Sequence, residues 1–168
     1  GPASSEVEVE GLSADDFELL RTFCYTGELR GLTTEAATRL LTLASFLDMR
    51  HVEELCCGVL LRAQTPTDLV RLLGSHCAHA SGRLTSLAIG QLARSLSGLA
   101  LPPRANDRDA LAALPLEAVT QLLEVSKTLP LHIAPRRLLL KLCLCWAPLQ
   151  QMAPHSVPLN ATSAEEIK

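Results

Sequence analysis

Ser13-Ala14-Asp15-Asp16-Phe17-Glu18-Leu19-Leu20-Arg21-Thr22-Phe23-Cys24-Tyr25-Thr26-Gly27 is the stretch on which the fold turns. A serine followed by acids is a helix start: its hydroxyl accepts a first-turn N–H, and the carboxylates sit at the positive end of the helix dipole. Phe17, Leu19, Leu20, Phe23 and Cys24 then supply apolar groups for a helix, and Gly27 marks its end, where the backbone must turn left-handed or bend tightly. Just upstream, Glu6-Val7-Glu8-Val9-Glu10 alternates with period two and predicts one short strand.

Downstream the signals are helical throughout. Thr33 caps a second helix whose stripe is Ala36, Ala37, Leu40, Leu43, Ala44 and Leu47, and Asp48 caps a third carrying Val52, Leu55, Cys56, Val59 and Leu60. Gln64-Thr65-Pro66-Thr67-Asp68 is a restart: a threonine cap, a proline where the N–H has no partner anyway, and an acid at the third position. A fourth helix follows with Leu69, Val70, Leu72, Leu73 and Cys77, and Ser81-Gly82 separates it from a fifth with Leu84, Leu87, Ala88, Gln91, Leu92 and Leu96. Leu99 to Asp107, with Pro102-Pro103, reads as a loop; a short helix starts near Arg108, and another at Leu114-Pro115-Leu116-Glu117 puts Val119, Leu122 and Leu123 on one face. After a loop from Thr128 to Ala134, Pro135 opens a last helix that runs through Trp146 and is stopped by Pro148.

The fold expected is therefore mainly α, a set of helical hairpins with at most one or two short strands near the N-terminus. The junction falls at Thr65, giving segments 1–64 and 65–149, while 150–168 lose all periodicity and read as a tail or linker. Composition agrees: 48% of residues are apolar but only 3% aromatic, so the core must be built from aliphatic side chains.

Charge narrows the function. The net charge of −3 and the lack of any Lys/Arg run exclude the basic face that nucleic-acid binding needs. No window reaches the roughly 18 apolar residues of a membrane-spanning helix. The six cysteines (Cys24, Cys56, Cys57, Cys77, Cys143 and Cys145) each lie in an apolar helical stretch, which reads as reduced core cysteine in the cytoplasm or nucleus rather than a disulfide framework.

The order of strand, helix, Tyr25-Thr26-Gly27 turn, helix and helix resembles the later part of a BTB/POZ domain. The resemblance is carried by Val7 to Glu10, Phe17 to Leu29, Ala37 to Met49 and Val52 to Leu61. Residues 66–148 resemble the BACK domain that follows BTB in kelch-like adaptors, through Asp68-Leu69-Val70-Arg71-Leu72-Leu73, the Leu114-Pro115-Leu116-Glu117 helix start and Trp146. The departure is at the last helix, where Pro135-Arg136-Arg137 stand in place of the family's acidic start. The family's dimer-forming first helix, early strands and acidic cullin-contact loop would precede Glu6, so the chain reads as part of a longer protein, and the 6–10 strand would otherwise lack its sheet.

What the resemblance implies is a non-enzymatic interaction module, a substrate adaptor of a cullin-3 ubiquitin ligase, with protein substrate captured by a separate domain such as a kelch propeller. Homodimerisation would use the preceding BTB segment. The alternative is a BTB scaffold for homotypic assembly in transcriptional or cytoskeletal regulation, without ubiquitin transfer. By the same resemblance Tyr25 faces the cullin, and Leu69 and Leu72 help to form a groove for the cullin's N-terminal segment. Against these stand plainer readings: Tyr25 packed over its own helix end, Leu69 and Leu72 as core leucines.

No catalytic or cofactor constellation emerges. His76-Cys77-x-His79 with Cys143-x-Cys145 has metal-binding residue types, but i, i+1 and i, i+3 neighbours on a helix do not converge as a Cys-x-x-Cys knuckle does. A thiol nucleophile paired with His76 or His132 has no supporting pattern, and no glycine-rich phosphate cradle is present. No metal and no cofactor are expected. Arg104, Arg108, Arg136 and Arg137 are either solvated or available to an acidic partner.

Overall fold

The computed structural model of the protein describes residues 13–130 and 136–152. The strand expected at 6–10, the end of the loop before Pro135, Pro135 itself and the tail from 153 onward lie outside the described residues. Those residues hold nine α-helices and no strand, so the chain is mainly α as expected: α1 (Ala14–Thr26), α2 (Thr34–Phe46), α3 (Arg50–Leu60), α4 (Pro66–Leu73), α5 (His76–Ala80), α6 (Gly82–Ser95), α7 (Ala105–Ala112), α8 (Leu116–Thr128) and α9 (Arg136–Met152). A 3-10 turn, Leu96–Gly98, extends α6.

Local signals set most of the boundaries. Ser13 accepts the Asp16 N–H at 3.1 Å, Thr33 accepts the Ala36 N–H at 3.2 Å, and α1 closes on Gly27 at φ 73° with the Gly27 N–H bonded to the Phe23 carbonyl. At Thr65 the capping box is complete: the Thr65 hydroxyl accepts the Asp68 N–H while the Asp68 carboxylate accepts the Thr65 N–H.

Four boundaries differ from the sequence reading, the first for a local reason and the other three for a tertiary one. Asp48 does not cap α3; it sits left-handed at φ 51°, the Met49 N–H bonds the Ala44 carbonyl, and the Asp48 carboxylate accepts from Arg50 instead. The single helix expected over Leu69 to Cys77 is two, α4 and α5, broken at Gly74. A Cβ on Gly74 would lie 2.9 Å from the Cβ of Ala113, so the end of α7 passes where a side chain would be. Helix α7 begins at Ala105 rather than near Arg108, its first turn fixed by an Arg71–Asp107 ion pair of 2.7 Å. Finally, Pro148 does not stop α9. Proline removes one bond to the Leu144 carbonyl, but both residues are exposed, so water can take that carbonyl. Beyond the proline, Gln150 donates to the Ala112 carbonyl at 2.7 Å, and Trp146 before it donates from Nε1 to the Leu114 carbonyl at 2.9 Å. These two bonds hold α9 against the end of α7, whose last carbonyls would otherwise lack partners.

Burial is organised around two clusters. The first gathers Leu20, Ala37, Leu40, Leu41, Ala44, Val52, Cys56, Cys57 and Leu60 from α1 to α3, together with Leu84 from α6. The second is built from α4, α6, α7, α8 and α9, with Leu69, Leu73, Ile89, Leu92, Leu114, Leu122 and Leu142 among its enclosed side chains. Each such leucine contributes roughly 1.5–3 kcal/mol by leaving water. The clusters meet at Leu61 and Leu72, half-buried residues that pack against both. Polar bonds cross the same seam: buried Ser81 caps α6 and donates to Glu53 on α3, Gln91 donates to the Leu61 carbonyl at 3.3 Å, and Arg83 pairs with Glu54 at 2.6 Å. Helices α3 and α4, on either side of Thr65, thus contribute to different clusters that share one seam.

Candidate interaction surface

Helix α1 is held to α2 by few but specific contacts. Leu20 enters the first cluster, and Asp16, almost fully buried, receives two bonds from Arg39 of α2, Nε at 2.6 Å and Nη2 at 3.0 Å. The Arg39 bond, with help from Ser13, holds the Asp16 carboxyl at about 2 even though burial pushes it the other way. This bidentate pair fixes the start of α1, so the rest of the helix is presented at a defined angle.

What α1 presents is apolar. Between α1 and the end of α2 lies a groove of about 570 Å³, lined by Phe17, Leu20, Cys24, Tyr25, Leu43, Phe46, Leu47 and Met49, with Arg21 its charged member. Tyr25 is 86% exposed and Phe46 83%, while Phe17 and Leu47 are each about half in water. Three of the chain's five aromatic residues therefore rim one groove and point away from the core. Among the described residues nothing covers this aromatic rim, so the trough is an apolar patch open to solvent.

The sequence-derived residues fall in different surroundings. Tyr25 stands in the open at the last turn of α1, and is not packed over it. Leu69 is fully enclosed in the second cluster, and Leu72 is half-buried at the seam; neither lines the groove that Tyr25 lines. The stripes expected to bury Phe17 and Leu47 do not, and Cys24, read as a core cysteine, is exposed, whereas Cys56 and Cys57 are buried. Phe46 was not singled out by the sequence reading, and the available signal was its place one residue before the end of the α2 stripe. Among the described residues no three His, Cys, Asp or Glu side chains gather as metal ligands would, and no helix is long and apolar enough to cross a membrane.

The groove lies wholly between residues 17 and 49. Residues 2–64 match the sequence profile of the BTB/POZ domain family. No curated protein and no solved structure matches the chain. BTB/POZ domains are protein-interaction domains, generally without enzymatic activity, and the exposed aromatic groove falls inside the matched BTB/POZ residues. The chain accordingly carries a protein–protein interaction module.

Proposed function

We propose that this chain works as the BTB–BACK portion of a cullin-3 substrate adaptor, with residues 65–149 as a BACK domain of the kelch-like kind, acting in the cytoplasm or nucleus. The observation that carries the reading is the groove of α1 and α2 within the BTB/POZ-matched residues, with Tyr25 at its rim. A tyrosine there buries a rigid face against a partner while its hydroxyl stays wet, which gives large contact area at small entropic cost. The aliphatic trough beside it favours an apolar helix laid along it, with affinity from area more than charge. Leu72, half-buried at the seam, would offer a second contact for the cullin's N-terminal segment, whereas Leu69, enclosed in the second cluster, would act as packing. Substrate would be held by another domain of the same protein.

The test is a titration of the protein with the N-terminal domain of cullin-3 by calorimetry. Tyr25→Ala is expected to weaken binding by about 1–2 kcal/mol without changing the thermal midpoint. Absence of any heat with the unaltered protein would remove the adaptor reading.

One observation favours a second reading, homotypic assembly without ubiquitin transfer. Tyr25 and Phe46 project from the same face that holds the trough, so two copies related by a two-fold axis could each offer knobs to the other's groove. Light scattering across a concentration series separates the two: a dimer that Phe46→Ser dissolves points to assembly, a monomer that binds cullin-3 points to the adaptor.

A further inference from the structure

No further inference is drawn: the strongest candidate, the open groove between α8 and α9 walled by Leu123, Leu139, Leu140 and Cys143, carries none because nothing in the structure shows what covers it.

Discussion

Before Thr65, α1 leaves Phe17 and Tyr25 in water and α2 leaves Phe46 and Leu47 there; after it, α4, α6 and α8 enclose Leu69, Leu73, Ile89, Leu92 and Leu122 almost completely. Both regions are built from helices that carry apolar stripes, although the residues left in water before Thr65 are mostly aromatic. What separates them is the number of neighbours each helix has. Helix α6 packs against α4 and α8 and still sends Leu84 into the first cluster, so its stripe is buried apart from Leu87 at its margin, which is 45% exposed. Helix α1 packs on α2 through Leu20 and the Asp16–Arg39 pair, leaving its remaining apolar surface facing outward. A stripe of aliphatic residues is therefore a statement about what a helix can cover, and the tertiary arrangement decides whether anything covers it.

The sharpest way to break this comparison is to truncate one leucine on each side. Leu92→Ala, in the middle of the second cluster, should cost about 2–5 kcal/mol in urea unfolding, and Leu20→Ala, at the edge of the first, distinctly less. Equal losses would mean that α1 is as well enclosed as α6. Next in size is the pair that orients α1. Asp16→Asn should destabilise the protein by about 1–2 kcal/mol at neutral pH, a figure kept low because Arg39 is half in water. The sign follows from the depressed carboxyl: with a folded value of about 2 against 3.8, Asp16 contributes fully above pH 4, and the contribution is lost as pH falls toward 2. Unfolding curves of the two proteins should thus converge on acidification; a gap that stays constant would show that the charge of Asp16 is not what matters.

Smaller effects sharpen the other side. Trp146→Phe leaves the ring but removes the donor to Leu114, and should cost about 1 kcal/mol by chemical denaturation. An unchanged midpoint would indicate that α9 is held by packing alone. At the seam approach, Ala63 sits at φ 53°, left-handed for an L residue, so Ala63→Gly should raise stability by about 0.5–1 kcal/mol. A loss there would mean the turn after α3 gains more from a stiff unfolded chain than it suffers from strain.

Much of the fold was legible in local chemistry. Ser13, Thr33 and the Thr65/Asp68 box announce helix starts because the hydrogen bonds that define them lie within three residues. Gly27 announces an end for the same reason. The errors cluster where the deciding atom comes from elsewhere: Ala113 against Gly74, the α7 carbonyls that keep α9 going past Pro148, and Arg71 reaching for Asp107. Of the candidate site, Tyr25 could be picked out as an amphipathic anchor, but Phe17, Phe46 and Leu47 read as ordinary members or neighbours of buried stripes. Periodicity reports which residues share a face and is silent on whether that face meets water.

By itself the sequence determined that this protein is a chain of capped, aliphatic-striped helices, because caps and periodicity act over one or two turns. Only the tertiary structure decided which stripes close into cores and which remain open at α1, α2 and α9. Burial is a property of neighbours brought from far along the chain, and no window of residues contains them.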